Sequence, residues 1–184
     1  MISEEYLAYV HELDIVPQQD FYNELQAEWE ELPYLWSSAP IPTMQLRLLV
    51  MANMTVTYLI KQQYYTGIHD AKRKLAVLHV NKNSGYSGNN PDAWSNFREV
   101  EKFGIKASEG CLTRLSDKYR RATNLLNKSG KDNVGESVYD TLIDFLAYCL
   151  ILICLLNEDN KVVQNKLTEM VQLNQSLGLY AEGT

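Results

Sequence analysis

An all-helical bundle is the fold class this sequence predicts, on three observations. Apolar residues recur at helical spacing through most of the chain, as in Phe21, Leu25, Trp29 and Leu32, or Leu112, Leu115, Tyr119, Ala122 and Leu126. No segment alternates apolar and polar residues as a half-buried strand would, and no internal repeat is visible. Residues that start and stop helices fall between the periodic segments.

The elements follow in order. Ser3 caps a short helix that runs toward His11. A second helix covers residues 20–32, with Glu24, Glu28 and Glu31 away from its apolar stripe. Pro33, Pro40 and Pro42 then break the chain, so residues 33–43 are the expected internal boundary. It separates an N-terminal helical extension, residues 1–42, from the main helical domain, residues 43–178. Thr43 opens an apolar helix over residues 44–65, Gly67 interrupts it, and another helix covers 69–80. Residues 81–90, rich in Asn, Gly and Ser, form a loop. Pro91 and Asp92 start a short helix that reaches Val100 and ends near Gly104. Ser108 caps a helix to residue 128, and a polar turn covers 129–135. Two more helices cover 136–155 and 160–177, and residues 179–184 form a frayed tail.

The 184 residues are 46 % hydrophobic and 22 % charged, enough to build an ordered core. A net charge of −6 argues against a broadly basic surface, so direct sequence-specific nucleic-acid binding is not expected. Cys111, Cys149 and Cys154 are odd in number and form no CxxC pair, which supports neither a disulfide framework nor zinc. A reducing compartment is the simplest reading. No signal peptide is visible, because Glu4 and Glu5 follow Met1 closely. The most apolar stretch, residues 145–156, is too short for a bilayer span, which needs about 20 residues. A cytoplasmic location without membrane contact is therefore expected.

Three clusters carry candidate chemistry. Arg114, Asp117, Lys118 and Arg121 share one stripe of the helix 108–128, a set suited to phosphate groups. A solvated face with local salt bridges is the alternative. Glu136, Asp140 and Asp144 stack at steps of four on the next long helix, a natural ligand set for Mg²⁺ or Mn²⁺. Asp144 lies among apolar neighbours and needs a partner: a metal ion, Lys118 or an arginine. The alternative leaves Glu136 and Asp140 exposed and gives Asp144 a core salt bridge. The third cluster is Lys82-Asn83-Ser84-Gly85-Tyr86-Ser87-Gly88, followed by Trp94, Asn96 and Phe97. Aromatic rings there can stack on a base and amides can read its edge. It matches no P-loop, and a turn-rich loop with aromatic plugs is the alternative. The Glu28-Trp29-Glu30-Glu31 stretch has an ExxE pattern without an ExxD partner and reads as a solvated face. His11 and His69 have no second histidine at metal-ligand spacing.

Read in order, four blocks resemble the phage and bacterial nucleotide modification associated domain. They are Lys82-Asn83-Ser84-Gly85-Tyr86, Asn96-Phe97, Arg114-Leu115-Ser116-Asp117-Lys118-Tyr119-Arg120-Arg121, and Glu136-Ser137-Val138-Tyr139-Asp140-Thr141-Leu142-Ile143-Asp144 with Tyr148. The similarity covers residues 75–156. Gly85 stands where the family often has an acid, and Ser87 where glycine is common.

The resemblance implies an all-α core like those of MazG-like and dimeric dUTPase-like enzymes, which are usually oligomers. It implies a Mg²⁺-dependent pyrophosphohydrolase that splits a (deoxy)nucleoside triphosphate into monophosphate and pyrophosphate. Asp117, Glu136, Asp140 and Asp144 would hold the metal, with Asp117, Lys118, Glu136 and Asp140 catalytic. Arg114, Lys118 and Arg121 would neutralise the leaving group. Lys82, Asn83, Tyr86, Asn96 and Phe97 would bind the rest of the substrate. A non-catalytic nucleotide binder and a helical interaction module remain as alternatives.

Overall fold

The computed structural model describes residues 3–87, 90, 92–127 and 137–176, apart from the side chains of 83–87, 171 and 173–176. Among them every regular element is a helix: α1 (Glu4–Glu12), α2 (Phe21–Ser38), α3 (Ile41–Lys61), α4 (Ile68–Ser87), α5 (Ser95–Arg98), α6 (Ala107–Asn127) and α7 (Val138–Ser176). A 3-10 turn, Glu99–Phe103, follows α5. It ends at Gly104, where a φ of 76° favours glycine.

The first half of α7 is apolar on nearly every side, as a central helix must be, apart from Asp140 and Asp144. Leu142, Phe145, Leu146, Cys149, Leu150, Leu152, Ile153 and Cys154 are fully buried there. α3 and α6 pack along α7 most extensively, α1 lies on α7 and α4, and α2 lies on α3. The N-terminal helices contribute to the same core through Tyr6, Val10, Phe21, Leu25 and Leu32. Trp29 of α2 stacks on Tyr119 of α6 at 4.2 Å, and both rings approach Phe145 at 6.3 Å. Glu28 and Glu31, expected to be simply solvated, both pair with Arg47 and clamp α2 to α3.

Ser3 accepts from the Tyr6 amide and caps α1 as expected. Several boundaries differ from expectation. Pro33 lies inside α2, and only Ala39 and Pro40 separate α2 from α3, so residues 33–43 form no loop. Proline removes one donor from the ladder. Buried Leu32 before it, and Leu35 and Trp36 packed against the core after it, hold the helix, and the Ser37 and Ser38 hydroxyls donate to carbonyls of Pro33 and Tyr34. α4 runs through residues 81–87, where a loop was expected; extending an existing helix is cheaper than starting one, even through poor helix formers. Ser108 does not cap α6. It lies inside the helix and donates to Asp159 of α7 at 2.6 Å, while Glu109 reaches back to the Lys106 amide at 3.0 Å.

α7 is one helix of 39 residues, not two. The polar run at its middle contains no glycine or proline and spends its side chains on cross-links. The Asn157 amide donates to Glu5 and Tyr9, Glu158 pairs with Arg98, and Asp159 accepts from Ser108. Continuity also makes Val138–Met170 long and apolar enough, by length and composition, to cross a membrane, unlike the shorter stretch expected. Its most apolar window is 61 % buried inside the protein, the environment of a core helix.

α3 ends at Lys61 rather than at residue 65. Gln63 takes a left-handed φ of 60°, its amide donates to Ile60 and the Tyr64 amide donates to Leu59, both at 2.9 Å. These two bonds form a Schellman motif, whose left-handed position favours glycine. Gln63→Gly is therefore expected to raise stability by about 1 kcal/mol, read as a higher urea midpoint. An unchanged or lower midpoint would contradict this.

Candidate functional site

The site forms where α4, α5, α6 and α7 meet around one carboxylate. Asp144 sits on α7 with its side chain 15 % exposed. Lys82 of α4 donates to Oδ1, and Lys118 of α6 donates to Oδ2 at 2.8 Å. Burial alone would raise the Asp144 pKa, but hydrogen bonds from Lys118 and Lys82 outweigh it and hold the group below the usual carboxylate range. The partner that Asp144 needed is thus a pair of lysines from two elements.

Two cavities flank the Lys82–Asp144 pair and share Leu78. The wider, about 280 Å³, is lined by Tyr64, Tyr65, Lys74, Asp140 and Ile143. Lys74, Leu78 and Lys82 fall at steps of four on α4, so one face carries two cations past the cavity. Lys74 also pairs with Asp70 at 2.9 Å. The narrower cavity, about 50 Å³, is lined by Tyr6, His79, Asn96, Phe97 and Tyr148. Phe97 meets Tyr148 edge-on at 6.1 Å, and the Arg114 guanidinium lies 5.0 Å from the Phe97 ring centre.

The expected residues divide as follows. Lys82, Asn96, Phe97, Arg114, Lys118 and Asp144 gather at this junction. Arg121 is half-buried one turn beyond Lys118. Asp140 lines the wider cavity and caps α7 with Ser137, whose hydroxyl donates to Oδ2 at 2.8 Å and accepts from the Asp140 amide at 3.1 Å. Asp117 is exposed, about 100° round α6 from Lys118, and lines neither cavity. Glu136 lies outside the described residues, as do the side chains of Asn83 and Tyr86. Among the described residues no three His, Cys, Asp or Glu side chains converge on one point. Asp140 and Asp144 do line one cavity, which fits the one or two carboxylates that Mg²⁺ takes when it shares its shell with substrate phosphates.

His79 was missed in the sequence. It is 6 % exposed, its ring stacks on Tyr6 at 4.0 Å, and its Nε2 is buried without a hydrogen-bond partner. The one available signal was a histidine on the face that carries Leu75 and Lys82. Burial lowers its pKa from 6.5 to about 4. A folded state that refuses a proton loses stability as pH falls through 6.5 toward 4, because the unfolded chain binds that proton first. Urea midpoints are expected to drop across this window, and His79→Phe is expected to flatten the slope. An unchanged slope in the variant would assign the acid sensitivity elsewhere.

Comparison with known protein families, with curated proteins and with solved structures finds no match to this chain.

Proposed function

We propose that the chain is a Mg²⁺-dependent nucleotide pyrophosphohydrolase acting on a (deoxy)nucleoside triphosphate, with the all-α core and homo-oligomeric assembly its resemblance implies and the cytoplasmic setting its cysteine usage suggests. One observation supports this most: residues from four blocks scattered between Lys82 and Tyr148 meet at one junction. Lys82 and Lys118 bind phosphate oxygens there as point charges, and Lys74 extends the cationic path along the wider cavity. Asn96, Phe97 and Tyr148 contact the base. Asp140 and Asp144 would hold Mg²⁺, and the bound ion would supply Lewis-acid polarisation of the phosphate and an activated water. Incoming phosphates compete with Asp144 for its two lysines, so substrate arrival frees the carboxylate.

The test is incubation with Mg²⁺ and a panel of ribo- and deoxynucleoside triphosphates, with products separated by anion exchange. Monophosphate plus pyrophosphate is expected, and folded protein without turnover would overturn the reading. Asp140→Asn is expected to lower kcat about tenfold with little change in melting temperature, since the side chain is exposed. Unchanged turnover would remove Asp140 from the metal site. A second reading, a non-catalytic nucleotide binder, is favoured by the lysine on each oxygen of Asp144. Tight binding indifferent to EDTA, without turnover, would select it.

A further inference from the structure

We infer that His79 and Asn96 set base specificity, the narrow cavity receiving the hydrogen-bonding edge of a nucleobase. The inference rests on the nucleotide reading above and adds a residue that reading does not use.

The cavity holds two polar atoms that are buried and unpaired: His79 Nε2 and Asn96 Oδ1. A buried polar atom without a partner is costly, and such groups in a cavity mark where a ligand or water is received. The remaining walls are largely apolar or aromatic, with Leu78, Phe97, Ala147, Tyr148 and Ile151. Apolar walls with a few convergent polar atoms suit a flat heterocycle. A space of about 50 Å³ is too small for a whole base and large enough for an edge or an exocyclic group.

The layout sets the orientation. Lys82 and Asp144 line both cavities, so a ligand whose phosphates engage the lysines in the wide cavity directs its other end into the narrow one. Asn96 Oδ1 accepts and so selects an N–H donor on that edge. His79 is held flat by its stack on Tyr6, with Trp94 at 5.5 Å on a tilted plane, so its Nε2 is fixed before the ligand arrives. Burial keeps His79 neutral, and a neutral imidazole carries its proton on one nitrogen, so Nε2 offers the ligand edge a single function, donor or acceptor, set by the tautomer. A site whose buried polar groups must be matched rejects ligands that leave them unpaired.

The experiment is calorimetric titration of the full chain with non-hydrolysable triphosphates of the different bases, and with tripolyphosphate as a base-free probe. Wild type is expected to separate the best from the worst base by roughly ten- to a hundredfold. His79→Phe keeps a ring against Tyr6. Asn96→Ala, at a half-buried position, is the second variant should the first fold poorly. Each is expected to compress the ranking to within about threefold while binding tripolyphosphate as wild type does. A ranking unchanged in both variants would overturn the inference, leave the nucleotide reading intact and assign the cavity to water. Wild type that binds tripolyphosphate and treats all bases alike would overturn it too. Wild type that binds no triphosphate at all would overturn both.

Discussion

Asp144→Ala is expected to lower nucleotide turnover by at least roughly a hundredfold and to destabilise the fold by about 2 kcal/mol. The stability loss comes from what the substitution leaves behind. Lys118, with a side chain 23 % exposed, would face Lys82 with no carboxylate between them. Breaking a fully buried pair costs more, but Lys82 is 46 % exposed and water screens its share. Tripolyphosphate should raise the melting temperature of the variant more than that of wild type, because its oxygens replace the missing carboxylate on both lysines. A variant that melts like wild type would deny the cluster a structural role. One that still turns over nucleotide would deny Asp144 a part in the reaction.

The same carboxylate contributes to the acid sensitivity of the protein, alongside Asp70, whose pKa the Lys74 and Thr66 hydrogen bonds lower to about 2. The folded pKa of Asp144 is held below the ordinary value of 3.8. The lysine contacts therefore contribute fully above that value, and their contribution is lost as pH falls below 3.8 and through the lower folded value. Loss of stability between 6.5 and 4 belongs instead to His79, so the two groups occupy separate windows. Asp144→Ala should weaken the lower one, which Asp70 shares, and leave the upper one in place.

What could be read from the sequence depended on whether the deciding force was local. Asp144 was legible because a carboxylate among apolar neighbours must have a partner, and Lys118 was among the expected ones. The share taken by Lys82 was not, because helix α4 was expected to stop before it. Asn157 to Asp159 were expected to separate two helices. They are helical because Glu5, Tyr9, Arg98 and Ser108 engage them from distant segments. Pro33 carries a local signal to stop that the packing of Leu32 before it and of Leu35 and Trp36 after it overrides. His79 carried no sequence signal of a role beyond its place on the face of Leu75 and Lys82; only the tertiary structure shows that its Nε2 is buried without a partner.

Phe145→Ala should be the most damaging single substitution outside the site, at about 3–5 kcal/mol. Phe145 is fully buried one residue after Asp144, so the same helical turn carries the carboxylate outward to the lysines and the ring inward to the core. Trp29 and Tyr119 both lean on that ring, which makes it the point where α2, α6 and α7 meet. The cavity left by truncation would be lined by two large rings with limited means to collapse, which places the cost toward the upper end. Domains of this size are stable by about 5–15 kcal/mol, so the loss is a large share of the total. The position of Lys118 on α6 depends on the same packing, so the variant should also lose affinity for nucleotide before it unfolds. Chemical denaturation together with tripolyphosphate titration separates the two effects. A loss below about 1 kcal/mol would mean that the aromatic junction does not hold α2 and α6 to the central helix.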